Sequence, residues 1–273
     1  MSARVHLLAL SALTFAGCGP TTEHKSTQAK PSAHQAPAAE SESDAAQATD
    51  GAPAQLPTRA DAIGPELAAK QAAFNEKADA TKKADYARGI EELEASGVLD
   101  AAKNVGDQAP EFELKDATGK SVKLAELLGA GPVVLVWYRG GWCPYCNITL
   151  KGYGRRASEF KDKGATLVAI SPELPDNSLD TQQKHELDFL VLSDTGNEVA
   201  DDYGIRFELP DYVAKHYNDA FDLEKYNGDT SNTLPLAATY VIDQSGKIRW
   251  AFLSADYKQR AEPADVLAAL DEL

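Results

Sequence analysis

Short apolar runs, uncharged and rich in β-branched residues, alternate with polar segments along the second half of the chain. Each run has the length of a buried β-strand. The runs cover residues 133–138, 166–170, 189–192 and 238–242. Shorter patterns around Gly-containing turns predict two hairpins. The hairpins join 112–114 to 121–123 and 238–242 to 247–252.

Helical patterns lie between or after these strands. They cover residues 124–128, 181–186 and 263–270. Another helix is predicted directly after Cys146, although Gly152 and Gly154 weaken it. Strands that alternate with helices and end in a hairpin predict an α/β fold, with a mixed central sheet flanked by helices.

A longer amphipathic stretch precedes this domain. Residues 61–95 place apolar side chains three and four positions apart, as Ile63 and Leu67 are, which predicts one helical stretch. We expect this helical extension, residues 59–104, to pack on a main domain at 105–273. We expect it to support that domain and to carry no chemistry of its own.

The first residues have the pattern of an export signal. Arg4 precedes a short apolar segment that ends in small residues directly before Cys18. This ending resembles a bacterial lipoprotein processing site, although Phe15 stands where Leu is usual. We therefore predict a signal peptide at 1–17 and lipidation of Cys18. An ordinary secretory signal with a chance cysteine is the alternative.

Residues 18–58 consist mainly of Ala, Pro, Ser, Thr, Gln and Glu. Such a segment buries too little apolar surface to offset the entropy of ordering it, so we predict a disordered, low-complexity linker. The expected location is the bacterial cell envelope. The lipid would anchor the protein to a membrane, with the domain outside the cytoplasm and no other membrane attachment.

Charge and cysteine content narrow the classes of function. The 273 residues carry a net charge of −15, which argues against nucleic acid as a partner. Three cysteines are too few for a disulfide scaffold. Two of them, however, form a C-x-x-C pair.

That pair begins the helix that follows the strand at 133–138. Residues 139–146 read Arg-Gly-Gly-Trp-Cys-Pro-Tyr-Cys. The N-terminus of a helix stabilises a thiolate, and Arg139 adds a positive charge. Cys143 and Cys146 share one helix face at a spacing that suits a disulfide. Because the closed loop would be tiny, such a bond stabilises the fold little and is more plausibly redox-active than structural.

Two alternatives stay open at this point. The pair could be an inert disulfide, or it could be half of a zinc site. A zinc site needs two further ligands, and the nearest histidines, His185 and His216, are isolated in polar surroundings.

Three separated stretches carry a family resemblance. They are residues 105–114, 138–146 and 255–263. With them the chain resembles the thioredoxin fold over about 105–270, and more closely the peroxiredoxins of the alkyl hydroperoxide reductase/thiol-specific antioxidant (AhpC/TSA) family. The resemblance implies a thiol-dependent peroxidase that uses no cofactor and no metal.

The sequence departs from the peroxiredoxin motif at the site itself. Cys146 falls at the attacking cysteine of that family, while Cys143 replaces its Thr or Ser and Arg139 replaces its Pro. In the register of thioredoxin, by contrast, Cys143 attacks and Cys146 resolves. Ala237 stands where thioredoxin-like proteins have a cis-proline, and Trp137 replaces the acidic residue buried in their central strand.

The leading hypothesis assigns the attack to Cys143. The sulfenic acid that forms would condense with Cys146 to a disulfide, and an external dithiol, such as a thioredoxin-like protein, would reduce it. Arg139 would lower the thiol pKa and stabilise the leaving oxygen; its alternative role is a structural ion pair.

Trp142, Pro144 and Tyr145 are the candidates for substrate or partner docking, and plain packing is their alternative role. A homodimer is considered as the assembly. The long polar and aromatic segment 205–234 would either cover the site or form a dimer surface.

Two other functions are weighed. A membrane-anchored protein thiol–disulfide oxidoreductase would use the same pair without peroxide chemistry. A Cu(I) carrier would need a third ligand, such as His216.

Overall fold

A computed structural model describes residues 61–273, so the predicted signal peptide, Cys18 and the predicted linker lie outside the described residues. The helices of the described range are α1 Gly64–Lys77, α2 Ala80–Ala95, α3 Val98–Ala101, α4 Leu124–Ala130, α5 Pro144–Arg155, α6 Ala157–Asp162, α7 Pro175–Lys184, α8 Glu198–Asp202, α9 Asp211–Phe221, α10 Leu223–Asn227 and α11 Pro263–Leu270. The strands of that range are β1 Glu113–Asp116, β2 Ser121–Lys123, β3 Val133–Trp137, β4 Thr166–Ser171, β5 Leu190–Ser193, β6 Arg206–Glu208, β7 Thr233–Pro235, β8 Ala237–Ile242 and β9 Ile248–Ser254.

The central sheet is mixed, as predicted. Within the described residues it has seven strands in the order β2-β1-β5-β4-β3-β8-β9. β3 pairs in parallel with β4, and β4 pairs in parallel with β5. β8 and β1 join the two sides of this parallel core in antiparallel fashion. Both predicted hairpins are present, as β1–β2 and β8–β9.

β3 is the buried centre of the sheet. All five of its residues, Val133–Trp137, are buried. β-branched side chains fit a strand that is covered on both faces, and this explains why the run is uninterrupted by polar residues. The strand ends where the C-x-x-C segment begins, so the site lies at the carboxyl end of the parallel core.

The prediction of one helical stretch over 61–95 is wrong in one respect, because the segment forms two helices. Ala78 has an extended backbone between them. The Asp79 side chain then accepts a hydrogen bond from the Lys82 backbone N–H (2.8 Å) and caps α2. We call α1 and α2 together the helical pair. Its predicted packing on the following domain is observed at Ile63, which is 0% exposed, and Leu67.

One glycine of α5 has a packing role that the sequence does not show. The helix runs through Gly152 and Gly154 and ends at Arg155. A Cβ atom at Gly152 would lie 2.2 Å from Ile63 Cγ2. Gly152 therefore permits the close approach of the segment that leads into α1.

The helix predicted at 181–186 is also displaced. α7 begins at Pro175, six residues earlier, and ends at Lys184. Proline at the first helical position has no N–H to leave unpaired, and this start signal outweighs the weak apolar pattern of the segment.

The segment 205–234 folds back beside the C-x-x-C pair. β6 and β7 form a separate two-stranded sheet, with α9 and α10 between them. Val213, Ala214 and Tyr217 of α9 pack in the same apolar cluster as both cysteines. Two roles are considered for this segment, covering the site and forming a dimer surface. Within a single chain, α9 of this segment covers the cysteine pair. No helix in 61–273 has the length and apolar character needed to cross a bilayer.

Candidate active site

The C-x-x-C segment has the strand–turn–helix form that the sequence predicts. Cys143 is the N-cap residue of α5, with φ −85° and ψ 113°, and Pro144 occupies the first turn. Cys143 and Cys146 are both free thiols. Both side chains are 0% exposed, so exposure does not distinguish Cys143 from Cys146 as the attacking residue. α9 and the aromatic residues around the pair cover them.

Arg139 lies against both sulfur atoms. Its Nη2 donates to Cys143 Sγ (3.4 Å), and its backbone N–H donates to Cys146 Sγ (3.4 Å). Its Nη1 donates to the Tyr217 hydroxyl (2.8 Å). The side chain is 4% exposed. Burial disfavours the guanidinium charge, but Tyr217 and the two cysteines hold the pKa of Arg139 above its usual value.

A second arginine approaches the pair from the C-terminal part of the chain. Arg260 Nη2 donates to Cys146 Sγ (3.4 Å). It stands shortly before α11, in the stretch 255–263 that carries part of the family resemblance. Sequence reasoning missed it because 114 residues separate the two partners. The only available signal was a basic residue inside a resemblance motif.

The two thiols differ in acidity. Burial raises the pKa of Cys143, but a hydrogen bond from Cys146 and the charges of Arg139 and Arg260 outweigh it, so the pKa lies well below its usual value. Burial and the neighbouring Cys143 raise the pKa of Cys146 well above its usual value. These opposite directions favour Cys143 over Cys146 as the thiolate of the pair.

Aromatic rings surround the guanidinium of Arg139. Its Cζ atom lies 3.9 Å from the centre of the Tyr257 ring and 5.2 Å from those of Trp142 and Tyr217. These contacts stabilise the buried positive charge of Arg139. Tyr217 and Tyr257 come from α9 and from the segment before α11, so the pattern around the motif contains no signal for them.

The candidate docking residues are packed inside this shell. The Trp142 ring stacks on Phe221 of α9 (5.2 Å between ring centres), and Tyr145 meets Tyr257 edge to face (5.5 Å). Trp142 is 9% exposed and Tyr145 is 4% exposed. Together with Pro144 they line a cavity beside the pair. Trp142 and Tyr145 therefore pack against neighbouring rings, and their role in docking stays a prediction.

A buried carboxyl group lies behind the glycine turn. Glu173, which follows β4, is 0% exposed, and its Oε1 accepts the Gly141 N–H (2.8 Å). Burial raises the pKa of Glu173 to about 7, against the Gly141 hydrogen bond and the nearby hydroxyls of Tyr138 and Thr181, which lower it. Sequence reasoning missed Glu173 because no motif connects it to the C-x-x-C pair.

The structure gives no support to a metal site around the pair. No group of three or more His, Cys, Asp or Glu residues suited to a metal ion occurs within residues 61–273. The Nε2 atom of His216, the third ligand that a Cu(I) carrier would need, lies 2.8 Å from Asp85 Oδ2. His185 likewise belongs to no such group in the described range.

Comparisons with known proteins point to one family. A model of the AhpC/TSA family matches residues 105–251. The chain is 30% identical over 149 residues to a protein of Populus jackii named peroxiredoxin Q, chloroplastic, a match that covers 55% of this chain and 60% of that protein. The protein of the same name from Suaeda salsa is 29% identical, over 54% of this chain and 58% of its own length. The chain therefore spans about three fifths of these relatives.

Among solved structures, the chain is similar to peroxidoxin BcpB from Mycobacterium tuberculosis. The two share 26% sequence identity with a TM-score of 0.50. The similarity covers 62% of this chain and 97% of that one. The predicted thioredoxin-like fold is confirmed.

Proposed function

Because the chain belongs to the AhpC/TSA family, we propose that it is a thiol-dependent peroxidase that reduces hydroperoxides through Cys143 and Cys146. One observation carries the assignment of these residues. Each sulfur lies 3.4 Å from an arginine side-chain nitrogen, Cys143 from that of Arg139 and Cys146 from that of Arg260, in a site closed to solvent. Such a site stabilises negative charge on sulfur and on a departing oxygen.

Cys143 makes the first attack. Its thiolate sulfur bonds to the terminal oxygen of the hydroperoxide as the O–O bond breaks. The sulfur is oxidised to a sulfenic acid, and the other oxygen leaves with the electron pair and takes a proton to become an alcohol, or water when the substrate is hydrogen peroxide. The lowered pKa of Cys143 supports this choice over Cys146.

Cys146 resolves the intermediate. Its thiol gives up a proton, its sulfur bonds to Cys143, and the sulfenic oxygen leaves as water, so a Cys143–Cys146 disulfide forms. An external dithiol, such as a thioredoxin-like protein, returns two electrons and two protons to the pair. The raised pKa of Cys146 fits a group that stays protonated until this step.

Arg139 stabilises the thiolate and the leaving oxygen in this mechanism. The Thr or Ser hydroxyl of the family motif is absent at position 143. The Tyr217 hydroxyl instead accepts a hydrogen bond from Arg139 Nη1 (2.8 Å). Trp142, Pro144 and Tyr145 form the wall through which a substrate or a reductant reaches the sulfurs. Since both sulfurs are buried, we expect this wall to move during each turnover.

Location and assembly extend the proposal. Lipidation of Cys18 after removal of residues 1–17 would anchor the enzyme in the bacterial envelope, with residues 18–58 as the tether. A homodimer stays a prediction for the assembly.

The first test follows peroxide consumption by the full chain and its variants. We expect the wild type to consume hydrogen peroxide with dithiothreitol as reductant, and Cys143→Ser to abolish this activity. Cys146→Ser should form a sulfenic acid at Cys143, detected by dimedone labelling and mass spectrometry.

A specific observation favours one competing function. Cys143 replaces the peroxide-binding hydroxyl, as it would in a thiol–disulfide oxidoreductase of the thioredoxin type. Reduction of insulin disulfides without any peroxide consumption would establish that function and overturn the peroxidase.

A further inference from the structure

A cavity of about 330 Å³ lies between the helical pair and the C-x-x-C segment. Lys70, Phe74 and Lys77 of α1 line one side of it, and Lys82 and Tyr86 of α2 continue that side. Trp142, Pro144 and Tyr145 form the opposite wall, with Arg139 and Tyr217 beside them. We call it the lysine–aromatic cavity. Its volume is at the lower end of the range for small-molecule sites.

The charge of this cavity is opposite to that of the protein. Of the 14 described residues that line it, four are cationic, namely Lys70, Lys77, Lys82 and Arg139, and none is acidic. The whole chain has 42 acidic and 27 basic residues. A positive cavity in a negative protein selects anions, both by attraction at the site and by repulsion elsewhere.

Two acidic residues, Asp79 and Asp219, interact electrostatically with Lys82. Asp79 accepts the Lys82 backbone N–H (2.8 Å), and the Asp219 carboxylate bonds to Lys215 Nζ (2.8 Å). Neither carboxylate lines the cavity.

The walls are suited to an apolar or aromatic body. Seven of the 14 lining residues are Phe, Tyr or Trp. Trp142 and Pro144, the chain neighbours of Cys143, line the cavity, and so does Arg139, whose Nη2 donates to Cys143 Sγ (3.4 Å). Neither cysteine is itself in the lining, but one end of the cavity lies against the residues that contact the reactive pair. Aromatic side chains supply large apolar contact areas at fixed geometry.

We propose that the lysine–aromatic cavity binds the organic part of a hydroperoxide that carries a carboxylate. The three lysines hold the carboxylate, the aromatic rings hold the body, and the peroxide group faces Arg139 and Cys143. This inference rests on the proposed peroxidase function and specifies its substrate class. The helical pair, which lies outside the family match at 105–251, thereby provides substrate selectivity.

A matched pair of substrates tests the proposal. Cumene hydroperoxide and its para-carboxylate differ only in the anionic group, and hydrogen peroxide reports the chemistry alone. With dithiothreitol as reductant, we expect kcat/KM for the carboxylated compound to exceed that for cumene hydroperoxide about tenfold, since each screened ion pair contributes a modest factor. The preference should shrink as salt is added.

Two sets of substitutions locate the effect. Replacing Lys70, Lys77 and Lys82 by Gln should bring the ratio of the two kcat/KM values to about one, with hydrogen peroxide turnover changed less than about twofold. The matched control replaces Lys83, Lys115 and Lys151, three exposed lysines that do not line the cavity, by Gln. It changes the net charge equally and should keep the preference.

The outcomes separate the two levels of the proposal. Equal rates for both organic substrates in the wild type, or the same loss in the control as in the cavity variant, would overturn the inference while hydrogen peroxide turnover upholds the peroxidase. Absence of turnover with all three substrates would overturn the peroxidase and with it the substrate assignment.

Calorimetry with 4-isopropylbenzoate and the neutral 4-isopropylbenzamide gives a readout free of turnover. We expect the wild type to bind the benzoate and not the benzamide, and we expect the cavity variant to lose binding of the benzoate. Equal binding of the benzoate and the benzamide would contradict the anion site.

Discussion

The inner and outer sides of the cysteine pair are built on different principles. On the inner side, at the end of β3, charge dominates: two arginines contact the sulfurs, and the Glu173 carboxyl fixes the turn at Gly141. On the outer side, α2 and α9 contribute mainly rings, such as Tyr86 against Tyr217 (5.4 Å between ring centres). The difference teaches that the charges that set the acidity of the thiols and most of the rings that limit access to them come from separate parts of the chain, which meet where Arg139 donates to the Tyr217 hydroxyl. Changes on one side should therefore leave the property of the other side largely intact.

The largest expected effect follows removal of the inner charge. Arg139→Met deletes the guanidinium beside Cys143 Sγ, so the thiolate loses its nearest cation and its pKa should rise. We expect the rate of reaction with hydrogen peroxide to fall about 100-fold, the scale typical of a lost electrostatic donor. Stopped-flow peroxide kinetics and thiolate absorbance at 240 nm across pH measure the two effects.

Arg249 offers the control for that substitution. It is exposed and forms an ion pair with Asp243. Both residues are about 100 positions from the two cysteines in the chain. Arg249→Met should leave both measurements unchanged. An unaltered titration midpoint in Arg139→Met would show that the thiolate depends on other groups, and the inner side would lose its proposed role.

Glu173 should make stability depend on pH. Folding raises its pKa from an ordinary value of 4.5 to about 7, so the folded state holds this proton more tightly than the unfolded state. The favourable contribution is complete below pH 4.5 and is lost as the pH rises to 7. The loss amounts to about 3 kcal/mol, since each pKa unit is worth about 1.4 kcal/mol.

Glu173→Gln isolates this effect, because its side-chain oxygen can still accept the Gly141 N–H. Urea unfolding at pH 5 and pH 8 should show a smaller drop in the free energy of unfolding for the variant than for the wild type. Equal drops would mean that Glu173 does not titrate in this range.

A smaller effect is expected when the outer side is loosened. Gly152→Ala places a Cβ atom against Ile63, at 2.2 Å if nothing moves, and should displace the start of the helical pair from α5. We expect a loss of about 1–3 kcal/mol in the free energy of unfolding, as for other overpacked sites. The 240 nm titration of Cys143 should stay as in the wild type.

Gly154→Ala is the matched control two residues along the same helix. There the nearest atom to an added Cβ is Leu187 Cδ2 at 3.5 Å, an ordinary contact. Thermal unfolding should show this variant to be as stable as the wild type or slightly more so, because Ala favours helix over Gly. A shifted thiolate titration in Gly152→Ala would break the separation between the two sides.

Local patterns in the sequence were enough for the elements that carry the pair. β3, β4, β8 and the helix at 263–270 follow from apolar runs and from Pro263, because burial on both faces and helix starts leave strong local signals. Two element boundaries have local signals that are outweighed by weak apolar patterns. Asp79 caps α2, but residues 61–95 look like one helix, and Pro175 begins α7, but the predicted helix begins six residues later.

The sequence by itself determined that two cysteines stand at the start of a helix after a buried strand, since spacing and periodicity are local properties. Only the tertiary structure decided what surrounds them. Arg260 lies 114 residues beyond Cys146 in the chain. Tyr217 and Glu173 lie 74 and 30 residues beyond Cys143. The two thiol pKa values are split by the contact between the sulfurs and by the charges of Arg139 and Arg260. Arg260 reaches the pair only in the folded chain, which no local pattern records.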